Sequence, residues 1–272
     1  MARDSQHQNL KFVSNEMDHH YGENVHLISS PLMLSLLAKL GNPKTVQPQI
    51  NELTQMLYSY LMDMVIDQLF PRKEVMIDTR MKQAHQEAVY EGQIIDPHVP
   101  VVSVDLARAG TFPSHLCYNK LNYLMDPELV RQDHFYVGRL TNEKGQVTGV
   151  SVAGSKIGGD VEKAIVLFPD PMGATGGTIV QAYEHYMKEV KGTPRLMIAM
   201  HLIITPEYVK KVTKLCPDLH IFALRLDRGL SSPEILLKEP GKNWDKEKGL
   251  NDNQYIVPGA GGLGEILNNS YC

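Results

Sequence analysis

From Ile50, apolar residues recur at Leu53, Leu57, Leu61, Met64 and Ile66, with Leu69 closing the set. That spacing turns one face of a helix toward a core and predicts a helix over 48–70. Pro100-Val101-Val102-Ser103-Val104 is a β-branched run ending at Asp105, which predicts a strand with Arg108-Ala109-Gly110 as the loop at its carboxyl end. After a helix over 113–125, His134-Phe135-Tyr136-Val137 predicts a second strand, with Arg139 just past its end. Over 140–158, Asn142-Glu143-Lys144-Gly145 precedes Val147, Val150 and Val152 and then Gly154 and Gly158, a pattern that predicts a β-hairpin flap. Strands at 164–168, 196–204 and 219–224 then alternate with helices at 178–190 and 206–215. The alternation predicts an α/β fold with a mainly parallel sheet flanked by helices. Ser-Ser-Pro, Pro240-Gly241 and the charged stretch 242–248 break the pattern, so 231–249 reads as a surface insertion that Trp244 could anchor by packing. Residues 1–26 read as an amino-terminal extension to a domain spanning 27–272.

At 272 residues and 43% hydrophobic content, the chain can bury a full core in one large domain. Lys and Arg number 27 against 31 Asp and Glu, and the formal charge of -4 offers no general attraction to a polyanion, so nucleic acid is not expected as a partner. Cys117, Cys216 and Cys272 lie far apart with neither metal nor disulfide spacing, which suits reduced thiols and a cytoplasmic location. The polar start, Met1-Ala2-Arg3-Asp4-Ser5, lacks the apolar core of a signal peptide. No membrane span is expected either, because the longest apolar stretch, 196–204, falls well short of roughly 20 residues. His201 within that stretch reads as a hydrogen-bonded core residue, and Cys117 as a buried structural thiol. Asp18-His19-His20 reads as solvated, and no metal held by protein ligands is expected. Lys210, Lys211 and Lys214 read as a solvated helix face.

The most informative segment follows the strand at 164–168: Asp170-Pro171-Met172-Gly173-Ala174-Thr175-Gly176-Gly177-Thr178. A strand delivers an acid, and a Gly and Thr loop then opens a helix. The unpaired N–H groups and the dipole at a helix start both favour an anion, and glycines let the backbone approach it. Thr175 and Thr178 add hydroxyl donors, while Asp170 is placed to accept from two neighbouring sugar hydroxyls. Together they describe a site for a phosphorylated pentose. No Gly-Lys-Ser/Thr follows, which disfavours ATP hydrolysis. Gly259, Gly261 and Gly264 spell a dinucleotide fingerprint, but only eight residues follow Gly264, too few for the helix and second strand such a fold requires. The better reading is a tight loop whose backbone holds the edge of a flat base.

Asp170-Pro171-Met172 and Ala174-Thr175-Gly176-Gly177-Thr178 resemble the sugar-phosphate loop of the uracil phosphoribosyltransferases, a branch of the type I phosphoribosyltransferases. Arg108-Ala109-Gly110 is similar to that family's diphosphate-binding turn, and Val137-Gly138-Arg139 to the strand end that carries its second diphosphate arginine. Tyr255-Ile256-Val257-Pro258-Gly259-Ala260-Gly261 resembles its uracil-recognising segment, and weaker similarity reaches Thr205-Pro206-Glu207 and Asp227-Arg228-Gly229-Leu230. The resemblance implies transfer of the phosphoribosyl group from 5-phosphoribosyl 1-diphosphate to uracil, forming uridine monophosphate. It implies catalytic roles for Arg108, Arg139 and Asp170, diphosphate and sugar-phosphate binding by these with 171–178, and uracil binding at Ile256, Gly261, Gly262 and Leu263. It further implies magnesium carried by the substrate, and a homo-oligomer. The chain departs from the pattern at Gly261-Gly262-Leu263, where the family has Gly-Asp-Ala, so an acid is missing at Gly262 and the bulkier Leu263 is expected to narrow the pocket. Gly41 stands where the family has an arginine. A nucleotide-sensing protein without turnover, and a transferase for another base, remain alternatives.

Overall fold

The computed structural model describes residues 8, 9, 11–141 and 147–270, and of 139–141 and 147–152 the backbone alone. In chain order come β1 (Val25–Leu27), α1 (Pro31–Leu40), α2 (Gln49–Leu69), β2 (Arg72–Asp78), β3 (Val89–Ile95), β4 (Val101–Ala107), α3 (Thr111–Leu124), β5 (Val130–Thr141) and β6 (Val147–Lys156). There follow β7 (Ile165–Pro169), β8 (Met172–Gly173), α4 (Gly177–Glu189), β9 (Leu196–Ile204), α5 (Pro206–Leu215), β10 (Leu219–Leu226), α6 (Pro233–Leu236) and α7 (Leu263–Ile266). The main sheet runs β1-β10-β9-β7-β4-β5-β6, with β8 beside β9. All its pairs are parallel except β5 with β6.

Strands covered on both faces must be apolar throughout, and the central ones are: Val101, Val102, Val104, the run 165–168 and the run 197–200 are all buried. Helices α1, α2 and α3 close one face and α4 and α5 the other. In α2 the buried set is Ile50, Leu53, Thr54, Leu57, Tyr58, Leu61, Met62, Val65 and Ile66, a wider face than the apolar spacing alone marks, with Met64 only partly covered. From β4 the chain crosses over α3 to β5, and from the adjacent β7 it crosses over α4 in the opposite direction to β9. Such a reversal leaves a crevice at the carboxyl ends of the two strands, which is where open α/β sheets bind ligands.

Strand β5 is longer than its apolar run: pairing with β6 carries it to Thr141, so Arg139 lies within the strand opposite Val150 and not past its end. The turn expected at Asn142-Glu143-Lys144-Gly145 lies outside the described residues. The antiparallel pair β2–β3 was not visible in the sequence, because most of β2 is exposed or half-exposed and shows no sustained apolar face. The amino-terminal segment turns back on itself, Met17 N–H donating to the Leu27 carbonyl at 2.8 Å. Trp244 anchors the 231–249 segment, its indole N–H donating to the Pro206 carbonyl at 3.2 Å and its ring meeting Tyr21 edge-on at 5.0 Å. The buried carboxylate of Glu247 accepts from Tyr21 O–H, from Arg228 Nη1 at 2.9 Å and from Gly241 N–H at 2.9 Å. Cys117 and Cys216 are free thiols in the interior, and burial pushes each up to about 12. No helix among the described residues is long and apolar enough to cross a membrane.

Candidate active site

The loop from Asp170 to Gly176 leaves β7 and opens α4. Gly176 adopts φ +75°, a left-handed conformation that L side chains resist, and a Cβ there would lie 2.8 Å from Val212 Cγ2. The sharp turn sets the mouth of α4 close against α5. The N-cap Gly176 has no side chain, and Thr175 Oγ1 accepts only from Gly177 N–H, at 3.5 Å, so the amides that follow in the first turn stay available to an anion. Thr205, which caps α5 by accepting from Tyr208 N–H at 3.0 Å, also donates its hydroxyl to the Ala174 carbonyl at 2.7 Å. The loop is thereby tied to the next strand.

Asp170 is held from behind. Its N–H donates to the Met200 carbonyl at 3.0 Å, and its own carbonyl receives His201 Nδ1–H at 2.5 Å. His201 is fully buried, and that burial pushes its imidazole down to about 4. A neutral ring has one donor and one acceptor, so with Nδ1 donating, Nε2 accepts from Tyr208 O–H at 2.5 Å. Burial raises Tyr208 well above the usual phenol range, which keeps that proton in place. His201 is thus the hydrogen-bonded core residue expected from the sequence, with a positioning task as well.

Arg108, Ala109 and Gly110 follow β4, the neighbour of β7. A Cβ on Gly110 would meet the Pro169 carbonyl at 2.9 Å, so only glycine lets this turn touch the backbone leading to Asp170. The Ala107–Arg108 peptide is cis. Below the turn, buried Asp105 accepts from Thr111 Oγ1 at 2.9 Å and faces His134 Nδ1 at 3.0 Å. Arg108 is exposed, and its Nη1 donates to Ser270 Oγ at 2.7 Å and to the Ser270 carbonyl at 3.1 Å. Nothing in the sequence signalled that contact. What the Arg139 guanidinium touches lies outside the described part of the structure.

The third loop, 256–264, rests on the carboxyl end of β10. The Asp227 carboxylate takes a two-point bond from Arg225 at 2.6 and 2.7 Å and also accepts from Gly259 N–H at 2.7 Å, while Arg225 reaches the Gly259 carbonyl at 3.0 Å. Gly229 N–H adds a bond to the Val257 carbonyl at 3.0 Å. The sequence marked Asp227 and Gly229 by resemblance, but their service to the 256–264 loop is visible only in three dimensions. Gly41 packs against the same loop, its would-be Cβ 3.3 Å from the Gly259 carbonyl. Leu263 is buried and packs into the core cluster on the side of α1, α2 and α3. The loops meet in series: Gly110 abuts Pro169, and Gly264 lies against Ala109. A cleft of about 550 Å³ opens beside Thr175 and is bounded by Glu207, Lys211, Lys248, Leu250 and Gln254.

A model of the family described as uracil phosphoribosyltransferase matches residues 27–247. The chain belongs to that family. As a uracil phosphoribosyltransferase family member it is a phosphoribosyl-transferring enzyme of the glycosyltransferase class, and its α/β architecture is the type I phosphoribosyltransferase fold. The uracil phosphoribosyltransferase of a Geobacillus species is 26% identical over 246 residues, covering 89% of this chain and 97% of that protein. That of Thermococcus sibiricus is 25% identical over 222 residues, covering 81% and 87%. The solved AQ2163 protein from Aquifex aeolicus superposes with a TM-score of 0.66 at 20% identity, covering 90% of this chain and 97% of that one. The family match takes in the turn at Arg108 and the loop at Asp170 but ends before the 256–264 loop.

Proposed function

We propose that this enzyme transfers the phosphoribosyl group of 5-phosphoribosyl 1-diphosphate to uracil, releasing diphosphate and forming uridine monophosphate. The observation that carries this reading is the serial contact of the three loops at one crevice, with Gly110 against Pro169 and Gly264 against Ala109. The amides at the mouth of α4, with Thr175 and Thr178, hold the 5-phosphate. Asp170 accepts from the two ribose hydroxyls, and the 256–264 backbone presents Ile256, Gly261, Gly262 and Leu263 to the base edge. A ring nitrogen of the base attacks the anomeric carbon as the bond to diphosphate breaks, so positive charge grows on the ribose and negative charge on the leaving group. Arg108 and Arg139 stabilise that leaving group through charge-assisted N–H bonds. Among the described residues no three His, Cys, Asp or Glu side chains gather as a metal cage. Magnesium enters the reading as a companion of the diphosphate, and no step is assigned to it. A cytoplasmic homo-oligomer is the setting we propose.

A second reading, transfer to another base, is favoured by Gly262, where the family's acid is missing. The test is diphosphate release with magnesium, 5-phosphoribosyl 1-diphosphate and each nucleobase in turn. Release with uracil above all other bases is the expected outcome. Release with a different base alone would replace uracil, and no release with any base would overturn the reading.

A further inference from the structure

We propose that Asp105 is a positioning residue for the diphosphate-binding turn, acting on Arg108 through the hydroxyl of Thr111. The inference rests on the transferase reading above, which gives the diphosphate to the Arg108-Ala109-Gly110 turn, and deepens it. Side chains of β4 alternate between the two faces of the sheet: Val102, Val104 and Leu106 join the core beneath α4 and α5, while Val101, Ser103 and Asp105 face α3. A strand covered on both faces is apolar by default, yet Asp105 sits in it only 6% exposed. A buried carboxylate persists when its oxygens are bonded, and here both are. Oδ1 accepts from Thr111 Oγ1 at 2.9 Å, and Oδ2 lies 3.0 Å from His134 Nδ1, which presents its proton because a carboxylate only accepts.

Thr111 is the first residue of α3 and bonds in two directions. Its N–H donates to the Arg108 carbonyl at 3.2 Å, so one residue joins the Asp105 carboxylate to the backbone of the turn. The bonding continues along the same face. Ser114 Oγ donates to the Thr111 carbonyl at 2.9 Å and accepts from Gln132 Nε2 at 2.9 Å, and the Ser114 carbonyl accepts from Ser103 Oγ at 2.8 Å. The first turn of α3 is thus pinned to β4 and β5 by polar bonds, and Cys117 and Leu121 carry the apolar packing of the turns that follow. Hydrogen bonds fix distance and direction together, whereas apolar contact has no preferred direction and lets a helix slide. Arg108 itself is exposed, so the position of its backbone, set from beneath by Thr111 and Asp105, decides where its guanidinium can reach. A leaving group is stabilised best by a donor already in place.

The test is calorimetry on the full chain with magnesium diphosphate and, separately, with ribose 5-phosphate. Thr111→Val keeps the shape of the side chain and deletes its O–H, and it is expected to weaken diphosphate ~10-fold. Ribose 5-phosphate, held by the loop at Asp170, should bind as before, which a general loss of structure would not spare. Thr111→Ser keeps the hydroxyl and should match the native chain. Asp105→Ala should repeat the Thr111→Val result, and the double variant should lose no more than the weaker of the two single ones, because both remove the same bond. Native diphosphate affinity in Thr111→Val would overturn the proposal, as would a Thr111→Ser chain as weak as Thr111→Val, or losses that add in the double variant. Equal loss of both ligands would also overturn it, leaving Asp105 a residue of the fold alone. If the native chain binds ribose 5-phosphate but no diphosphate, the reading of the Arg108 turn falls first and takes the role of Asp105 with it.

Discussion

Asp170 and His201 show how one residue prepares another. The Asp170 peptide is fixed on both sides, by the Met200 carbonyl and by His201, and its carboxylate accepts from Met172 N–H at 3.4 Å. Replacing Asp170 with Asn keeps the shape and removes the charge, and ribose 5-phosphate affinity measured by calorimetry should fall ~10-fold to 100-fold. His201 adds a pH signature. Its imidazole is pushed from the ordinary 6.5 down to about 4, so the unfolded chain binds the extra proton first. The stability this group supports is complete above pH 6.5 and is lost as pH falls from 6.5 to about 4, an effect of about 3 kcal/mol. Urea unfolding should show that loss in the native chain, and His201→Gln should lack the same component of the pH profile.

At the scale of elements, the mouth of α4 depends on a glycine. Gly176→Ala would have to adopt φ +75° and press on Val212, so it should cost at least ~1 kcal/mol in chemical denaturation and weaken ribose 5-phosphate in parallel. The helix itself was legible, as was most of the fold. Strand β9 and helix α5 fall on the residues the sequence marks, one as an unbroken apolar run and the other opened by a Thr205 cap with proline behind it. Elements governed by distant partners were not legible. Strand β5 outruns its apolar core because β6 supplies the hydrogen bonds, and β2–β3 has little buried face to impose a period. The candidate site divides the same way. Asp170 and Arg108 stand beside their loops in sequence, whereas the support that Arg225 and Asp227 give the 256–264 loop forms only in the fold.

On the scale of the whole molecule, distant ends of the chain close on each other. The amino-terminal Tyr21, Arg228 and the 231–249 segment share the Glu247 carboxylate, and the carboxyl-terminal Ser270 reaches across to Arg108. This second closure has a chemical consequence for the resting enzyme. Arg108 already possesses an internal ligand with two hydrogen bonds, so any anion in solution has to outcompete it. A multivalent diphosphate can do so, while orthophosphate or sulfate gains too little from one guanidinium. Removing the hydroxyl in Ser270→Ala should therefore raise the affinity for free orthophosphate by up to ~10-fold and make turnover more sensitive to phosphate buffer. Inhibition curves for the native and variant enzymes that coincide would deny the tail this part. If they separate, the turn at Ser270 acts as a threshold that screens out the abundant small anions of the cell.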